Sequence, residues 1–430
     1  MMTTKLTRRG MLKTSAAAAA GLWLAAAPRI LKARGANEKL QVACIGIGGQ
    51  GGASVRGVSG ETIVALCDVD DKRAGRQYKN HPNVKKYYDF RKMFDEMEKQ
   101  IDAVTVATPD HTHFNPSMWA LQRGKHLFCE KPMAHNVWQV RQMTDLARKN
   151  KLATQLGVQR HTIKGMHRTV ELIQSGAIGK VTEVYSWIGS SRGMPADITN
   201  YPPVPDEVKW DLWLGPAPEH KYTPELCPYK WRFWWNYGTG EAGNWGCHIL
   251  DIPFWALHLT FPTRVDATGP EVHPTKSTKS FQSTFKFPAH GGRGPVTLHW
   301  LQGTPSILKE KGIPGKGNNL FIGDKGMLLC GFGNPTLLPE KKFADFKAPD
   351  PFIPDSPGFH REWINAAKGA KTPATCNFDY SGPMTETVLL ANVAYRAGGG
   401  FDWDSANLKT TGNDKAQALI KEAARKGWEI

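Results

Sequence analysis

The sequence predicts an α/β protein with an N-terminal doubly wound parallel sheet and a C-terminal α+β domain whose open sheet is mostly antiparallel. Up to residue 160, short apolar runs alternate with helix-compatible stretches, the rhythm of parallel strands joined by right-handed helical crossovers. Beyond that point, segments rich in β-forming residues follow one another. These segments are Arg264–Thr268, Ser280–Phe287 and Val296–Trp300. With 430 residues, the chain is long enough for two such domains.

The first predicted strand leads into a glycine-rich loop. The apolar run Lys39–Ile45 suits a buried parallel strand. It is followed by the pattern G-x-G-x-x-G, formed by Gly46, Ile47, Gly48, Gly49, Gln50 and Gly51. In this pattern the first glycine permits a tight turn, the second admits a pyrophosphate to the backbone, and the third lets strand and helix pack closely. The sequence therefore predicts a dinucleotide site of the Rossmann type at a helix N-terminus.

An acidic residue ends the second predicted strand. The apolar run Thr62–Cys67 is followed by Asp68, about 20 residues beyond the loop, where a carboxylate accepts hydrogen bonds from the adenine ribose hydroxyls. Because such a carboxylate repels a 2′-phosphate, we expect NAD as the cofactor. Lys72 and Arg73 lie close by in sequence and keep NADP open as an alternative.

The strand–helix alternation sets the predicted domain boundaries. The strands Ala103–Ala107 and His126–Cys129 each follow a helix-compatible stretch. We therefore assign residues 37–160 to a dinucleotide-binding domain and residues 161–430 to a domain for substrate binding and oligomerisation. The C-terminal helices of the second domain can pack back on the first.

Aromatic residues crowd the first part of the second domain. Eight of the 15 tryptophans lie between Trp187 and Trp255, and the densest run is Trp231–Tyr237. Flat aromatic faces suit the apolar faces of sugar rings, whereas core or subunit-interface packing explains most residues of this kind. We expect one or two of them to line a carbohydrate site and select Trp235 and Tyr237.

Residues 1–36 predict an export signal. The motif Thr7–Lys13 (TRRGMLK) resembles a twin-arginine signal, and the uncharged stretch Thr14–Pro28 follows it. That stretch is shorter than the about 20 residues that span a bilayer as a helix. A basic helical N-terminus of the folded protein is the alternative. We expect recognition by the twin-arginine translocase, a periplasmic or extracellular location, and no integral membrane span.

The same segment explains much of the basic charge. The chain has a formal net charge of +16, with seven basic and no acidic residues before Glu38. Without those seven, 48 basic and 39 acidic residues remain, a net charge of +9. No run of five or more Lys or Arg residues suggests a surface that tracks phosphates, so we expect no nucleic-acid partner.

Further motifs follow in order along the chain. They are Thr108-Pro109-Asp110-His111-Thr112-His113, Glu130-Lys131-Pro132 and Gly246-Cys247-His248-Ile249-Leu250-Asp251. Together with the glycine loop and Asp68, their order and spacing resemble the glucose–fructose oxidoreductase, inositol dehydrogenase and rhizopine-catabolism family, called Gfo/Idh/MocA. The resemblance covers essentially the whole chain after residue 38. It implies NAD(P)-dependent chemistry at a hydroxyl group, and a homodimer or homotetramer joined through the open sheet.

The resemblance implies roles for individual residues. Lys131 is expected to contact substrate, and His248 to act as the general acid/base because histidine is half-protonated near neutral pH. Arg160, Asn244 and Asp251 are the expected substrate contacts, although Arg160 could belong to a structural ion pair and Asp251 could brace His248. Besides the glycine loop and Asp68, the expected cofactor contacts are Thr108, Pro109, His111, His113, Glu130, Lys131 and Gln159.

One position departs from the family's pattern. Many relatives carry Asp-x-x-x-His where this chain has Asn244 and His248, two positions that share a face of a helix. An amide neither carries charge nor takes a proton, so Lys131 and His248 must do the proton work. No set of histidines and cysteines completes a metal site, so we expect no metal, and we expect all seven cysteines to be free thiols.

Three functions stay open from the sequence. The leading one is an exported NAD(P)-dependent oxidoreductase acting on a carbohydrate or polyol, with a tightly held cofactor because a periplasmic enzyme cannot recruit NAD locally. The second is an NAD-dependent glycosidase that works by transient oxidation, elimination and re-reduction. The third is a non-catalytic sugar-binding protein on the same scaffold, which Asn244 leaves open and which Lys131 and His248 argue against.

Overall fold

The computed structural model of this chain describes residues 38–189, 192–314 and 316–430. The predicted export signal, residues 1–36, lies outside the described residues. The predicted fold class is confirmed, since a parallel sheet precedes a second domain built on a mixed sheet. Among the described residues, no helix combines the length and the apolarity that crossing a bilayer requires.

The first sheet is parallel throughout and has six strands among the described residues. They are β1 Gln41–Ile45, β2 Thr62–Cys67, β3 Lys85–Tyr87, β4 Ala103–Val106, β5 His126–Glu130 and β6 Thr154–Gly157. Their order is β3-β2-β1-β4-β5-β6, so the direction of winding reverses between β1 and β4. Strand β4 is buried along its whole length, as expected for a sheet covered by helices on both faces.

Five helices connect or cover these strands in the described part of the chain, and a sixth follows β6. They are α1 Gly51–Gly57, α2 Asp71–Asn80, α3 Phe90–Met97, α4 Phe114–Gln122, α5 Val137–Lys149 and α6 Lys164–Gln174. Local sequence explains where they begin. In α5, for example, Asn136 and Gln139 form a reciprocal capping box, and Val140, Met143 and Ala147 form the buried stripe of one helix face.

The second sheet has nine strands in the described residues and is mixed. They are β7 Val181–Ile188, β8 Arg264–Thr268, β9 Gln282–Phe287, β10 Val296–Gln302, β11 Asn319–Gly323, β12 Gly326–Cys330, β13 Thr336–Leu338, β14 Phe401–Asp404 and β15 Lys409–Thr411. Their order is β13-β12-β11-β7-β10-β9-β8-β14-β15. Strands β7 and β10 pair in parallel, whereas the other pairs are antiparallel, so the prediction of a mostly antiparallel sheet is confirmed.

The second domain contains six further helices in the described residues, of which Cys247–Leu257 and Phe378–Arg396 pack on one face of this sheet. The six helices are α7 Trp210–Leu214, α8 Cys247–Leu257, α9 Ser306–Glu310, α10 Phe359–Ala367, α11 Phe378–Arg396 and α12 Asp414–Ile420. Helix α10 contacts the first sheet through the Trp363 indole, which donates to the carbonyl of Ala153 at 3.1 Å. Helix α11 contacts α5 through a bidentate ion pair between Arg141 and Glu386. The predicted boundary at residue 160 lies between β6 and β7.

Candidate active site

The glycine loop joins β1 to α1 at the point where the strand order reverses, the position at which open α/β sheets bind their ligands. Gly46 has a φ of +74°, and a Cβ on it would lie 2.7 Å from the carbonyl carbon of Ala107. A Cβ on Gly51 would lie 1.7 Å from the carbonyl oxygen of Gly46. Both positions therefore require glycine, and the turn they make is the cradle that a pyrophosphate needs.

Asp68 supports this loop. One of its carboxylate oxygens accepts hydrogen bonds from the amides of Ile47 and Gly48 at 2.8 and 2.9 Å. The other oxygen accepts from the amide of Asp70 at 3.0 Å. Burial raises the pKa of Asp68, and these backbone hydrogen bonds oppose that rise. Its side chain also lines the cleft above the loop, so contact with the adenine ribose stays a prediction.

The floor of the cleft is lined by residues that suit a dinucleotide. Predicted cofactor contacts that line it are Gly46, Gly48, Gln50, Thr108 and Pro109. The buried hydroxyl of Thr108 has no hydrogen-bond partner among the described residues. Arg73 lies over the loop, with Nη2 2.6 Å from where a Cβ on Gly49 would stand. A glycine cradle, an unpartnered hydroxyl and a guanidinium together suit a pyrophosphate.

The second domain closes the outer side of the cleft. The amide of Lys209 donates to the carbonyl of Val69 at 2.8 Å, and the amide of Asp71 donates to the carbonyl of Glu207 at 3.0 Å. The segment before α7 therefore lies alongside the residues that follow β2. Residues of this outer wall are Leu212, Trp213, Trp231, Arg232 and Trp428. The cleft is thus enclosed by both domains.

His111 and His113 fix the loops around the cleft. The ring nitrogens of His113 lie 2.7 Å from the carbonyl oxygens of Pro132 and of Thr108. Those of His111 lie 2.9 Å from the carbonyl of Trp213 and 3.2 Å from that of Tyr237, and burial lowers the pKa of His111 to about 3. Because both rings are buried and bonded to backbone, these contacts do not favour the predicted cofactor roles. They indicate instead that the two histidines hold neighbouring loops together.

Glu130 is a buried carboxyl at the end of β5. It accepts a hydrogen bond from the Gln159 amide at 2.7 Å and another from Gln50 of the glycine loop. A Cβ on Gly157 would lie 2.5 Å from its Oε2, so β6 leaves room for it only with glycine there. Burial raises the pKa of Glu130 to about 7, against the opposing effect of Lys131 and the two amides. Glu130 therefore links the glycine loop, through Gln50, to the end of β5, and Lys131 is the next residue in the chain.

Lys131 reaches from the first domain to the second. Its Nζ donates to the backbone oxygen of Asn244 at 2.7 Å and to the Oδ1 of the same residue at 3.1 Å. Burial lowers the pKa of Lys131. An ammonium has three N–H donors, so one is left for a substrate hydroxyl.

A buried carboxylate stands behind Asn244. Glu241 is 1% exposed and lies directly before the π-helical turn Ala242–Gly246. It accepts hydrogen bonds from the Asn244 amide at 2.9 Å and from Arg192 Nε at 2.8 Å. The negative charge that Asn244 lacks is therefore supplied by Glu241, which the sequence prediction missed. Its spacing of three residues from Asn244 was the available signal, but only the fold shows that the two side chains meet.

His248 lies in the first turn of α8 beside Trp245, with ring centroids 6.1 Å apart. Its Nδ1 is buried and has no hydrogen-bond partner among the described residues. Burial, together with the positive charges of Lys131 and Arg160, holds the pKa of His248 well below its usual range. The ring is therefore neutral at neutral pH and able to accept a proton.

Arg160 lies in the same neighbourhood. Its guanidinium carbon is 5.2 Å from the ring centroid of Trp245 and 4.4 Å from that of Phe332. Within the described residues it forms no ion pair, so the structural ion pair left open by the sequence is not found there. Lys131, Asn244, Trp245, His248 and Arg160 are all partly exposed, whereas Cys247 and Ile249 are buried. We call these five residues the catalytic wall.

Three predicted substrate contacts point into the interior. The Asp251 carboxylate lies 2.9 Å from His161 Nδ1 and accepts a hydrogen bond from the Tyr380 hydroxyl at 2.5 Å. The Trp235 indole donates to the carbonyl of His273 at 3.2 Å. Tyr237 is 3% exposed and packs its ring against His111. These contacts do not favour substrate roles for Asp251, Trp235 and Tyr237, because their polar groups or faces are already covered by protein.

Asp251 also belongs to a buried group of metal-ligand types. His161, Asp251 and Cys376 offer ligand atoms within 4.8 Å of one another. The carboxylate is already hydrogen-bonded by His161 and Tyr380, and burial raises the pKa of the Cys376 thiol well above its usual range. A metal prefers the thiolate as its ligand, so we assign no metal to this cluster.

Comparisons with known families match nearly all of the described chain. The description "oxidoreductase family, NAD-binding Rossmann fold" matches residues 40–158. The description "oxidoreductase family, C-terminal alpha/beta domain" matches residues 177–430. Both carry the family designation that the motifs of the sequence resemble.

Two curated relatives illustrate the range of similar proteins. An inositol 2-dehydrogenase of Salmonella paratyphi B is 29% identical over 152 residues, covering 34% of this chain and 45% of the relative. A glycosyl hydrolase family 109 protein of Saccharopolyspora erythraea is 29% identical over 208 residues, covering 40% of this chain and 44% of the relative. The match therefore spans less than half the length of either relative.

A solved structure shows the same fold over most of the chain. The WlbA dehydrogenase of Bordetella pertussis, in complex with NADH and UDP-GlcNAcA, superimposes with a TM-score of 0.59 at 14% identity. The superposition covers 85% of this chain and 99% of that one. At this identity the likeness concerns the fold alone.

Proposed function

Because this chain belongs to the Gfo/Idh/MocA oxidoreductase family and has its NAD-binding Rossmann domain, we propose that it oxidises or reduces a hydroxyl-bearing carbon of a carbohydrate or polyol with NAD(P). The observation that carries this proposal is the position of Lys131. It follows the strand whose last residue, Glu130, is bonded to Gln50 of the glycine loop, and its ammonium bonds across to Asn244 in the second domain.

Lys131 and His248 of the catalytic wall have different roles in removing the proton of the substrate hydroxyl. Bound NAD supplies the hydride acceptor or, in the reverse direction, the donor. Lys131 holds the substrate hydroxyl with its remaining N–H and stabilises negative charge that develops on that oxygen. His248, kept neutral by burial and neighbouring cations, accepts the hydroxyl proton as general base and returns it in the reverse direction. Asn244 and Glu241 keep the Lys131 ammonium in place.

A second candidate function is glycoside cleavage by an oxidation, elimination and re-reduction cycle on one bound cofactor. The similarity to a glycosyl hydrolase family 109 protein supports it. The two candidates differ in net reaction, because the cycle releases an aglycone and leaves the nicotinamide as it began.

The test is to purify the full chain, identify any bound nucleotide by mass spectrometry, and screen carbohydrates and glycosides. An oxidoreductase changes the nicotinamide absorbance in proportion to substrate, whereas the cycle releases aglycone with no net change. A chain that neither retains nor binds NAD or NADP contradicts both.

We propose further that the enzyme is exported with its cofactor inside. The enclosure of the cleft by residues near Lys209 and by Trp428 supports a slowly dissociating cofactor. Replacing Arg8 and Arg9 together by lysine is expected to leave the protein in the cytoplasmic fraction, whereas the parent chain appears outside it. Equal distribution of the two contradicts export through the twin-arginine translocase.

We also propose a homodimer or homotetramer joined through the second sheet. The sheet face opposite α8 and α11 carries a cluster in which Tyr185 stacks on His299, with centroids 4.5 Å apart. His299 is bonded to Glu183 and Thr284 on the neighbouring strands. Light scattering of the purified protein gives the mass, and a monomer contradicts this proposal.

A further inference from the structure

Arg160 is held in place by aromatic rings. Its guanidinium lies 5.2 Å from Trp245 and 4.4 Å from Phe332, distances at which a cation is attracted to the face of a ring. Both rings are partly exposed. The orientation of the guanidinium is therefore set by contacts that leave its N–H donors uncommitted.

Arg141 binds both carboxylate oxygens of Glu386 at 2.8 Å, and the more exposed Arg192 binds Glu241 at 2.8 Å. The half-buried Arg232 and Arg293 donate to backbone carbonyls instead. The side chain of Arg160 has neither kind of partner among the described residues. A guanidinium carries five N–H donors in a planar fork that matches carboxylates and phosphates. Arg160 therefore has the chemistry of an anion site without an anion from the protein.

The catalytic wall around Arg160 contains two cations, Lys131 and Arg160. Lys131 is hydrogen-bonded to the neutral Asn244 and feels the charges of Asp110 and Glu130. The nearby carboxylates are turned to other partners. Glu241 is bonded to Arg192, and Asp110 accepts from the amide and hydroxyl of Thr239. Glu130 accepts from the Gln159 amide. An anionic ligand on this wall therefore meets two cations, while the nearby carboxylates have hydrogen-bond donors of their own.

We propose that the substrate is an anionic carbohydrate, a sugar acid or a sugar phosphate, whose carboxylate or phosphate is bound by Arg160 while the reacting hydroxyl lies at Lys131 and His248. This inference rests on the proposed function, since it names the substrate class of the same site. Paired N–H···O bonds to a carboxylate or phosphate are stronger than bonds to a neutral group. The arginine thus selects the acid over its neutral analogue.

The test compares acids with neutral analogues on the purified, cofactor-loaded protein. The probes are glucuronate with glucuronamide, galacturonate with galacturonamide, and glucose 6-phosphate with glucose. Binding is measured by calorimetry and turnover by nicotinamide absorbance. We expect at least one acid to bind about tenfold or more tightly than its neutral partner, the range of a hydrogen bond to a charged group. The carboxylate and phosphate arms tell which anion is used.

Substitutions at Arg160 test whether this residue causes the preference for the acid. Arg160→Gln is expected to abolish the preference for the acid while NAD stays bound, and Arg160→Lys to retain part of it. Thermal unfolding checks that both variants fold. Arg76→Gln, which removes one positive charge from an exposed position on α2, is the matched control and is expected to change nothing.

Two results overturn the inference while leaving the proposed function intact. One is that the protein turns over the neutral analogues at rates equal to or higher than those of the acids. The other is an Arg160→Gln variant that still binds the acid more tightly than its neutral analogue. This holds also if the variant no longer binds NAD. A protein that binds no nucleotide and turns over no sugar contradicts the proposed function itself, so the two failures are distinguishable.

Discussion

The cofactor end and the substrate end of the site treat their polar groups in opposite ways. At the cofactor end, Asp68 accepts three backbone amides and Glu130 accepts two side-chain amides. At the substrate end, His248 keeps a buried nitrogen without a partner and Arg160 has no ion pair among the described residues. Apart from the Thr108 hydroxyl, the cofactor end has its polar groups bonded to protein, whereas the substrate end leaves donors and acceptors for the substrate to complete.

Removing the ammonium of the substrate end is expected to have the largest effect. Lys131→Met should reduce turnover of a responsive carbohydrate by about 10³-fold, within the range for removing a donor to an oxygen that develops negative charge, and should leave NAD bound. Steady-state kinetics and nucleotide content measure the two ends separately. Lys164→Met, an exposed lysine paired with Asp355, is the control. Turnover close to that of the parent chain contradicts the role of Lys131.

Changing the buried carboxyl of the cofactor end is expected to alter stability with a defined pH dependence. The pKa of Glu130 rises from 4.5 to about 7 on folding, so the native state binds more protons than the unfolded state between these values. The free energy of unfolding therefore falls as pH rises from 4.5 through 7. Glu130→Gln removes this loss and should stabilise the nucleotide-free protein above pH 7 by on the order of 3 kcal/mol.

Denaturant unfolding at acidic and alkaline pH measures this difference. The two proteins should converge below pH 4.5, where the carboxyl is protonated in both the folded and the unfolded state. A variant that is destabilised to the same degree at every pH shows that packing, not ionisation, dominates at Glu130.

Restoring the family aspartate is expected to harm this chain. Asn244→Asp places a carboxylate where an amide now donates to Glu241 at 2.9 Å, so two like charges meet. We expect kcat to fall about tenfold, equivalent to a loss of about 1.4 kcal/mol. The double variant Asn244→Asp with Glu241→Gln should recover most of it. Higher activity in the single variant contradicts the idea that Glu241 supplies the missing charge.

The smallest effect is expected at the cap that orients α2. The Asp70 carboxylate accepts the amide of Arg73 at 3.0 Å, which fixes the helix start that holds Arg73 over the glycine loop. Asp70→Ala should lower the free energy of unfolding by about 1 kcal/mol. Urea midpoints measure it, with the exposed Asp95→Ala as control. Equal loss in both variants shows that the cap contributes nothing particular.

The backbone of both domains was predictable because its signals are local. The strands Thr62–Cys67 and Arg264–Thr268 have the predicted bounds, since runs of β-forming residues and their ends are written in adjacent positions. The glycine loop was equally predictable, because each of its glycines is required by steric contacts within the same turn.

The side-chain partners were not predictable, because they come from distant parts of the chain. Asp251 was expected to contact substrate or to brace His248, yet its carboxylate is bonded to Tyr380, 129 residues away. Aromatic density indicated a sugar site near Trp235, but packing density in a core produces the same signal. Glu241 was overlooked because its partner Arg192 lies 49 residues earlier. Motifs located the site, and long-range contacts decided which members of each motif face it.

The most direct test of the central claim is the nicotinamide absorbance of the purified full-length protein after addition of single carbohydrates. We predict that at least one sugar or sugar acid produces the reduced-nicotinamide band, and that Lys131→Met abolishes it while retaining the nucleotide. Absence of the band with every aldose, polyol and sugar acid, in the presence of added NAD and NADP, would contradict the account.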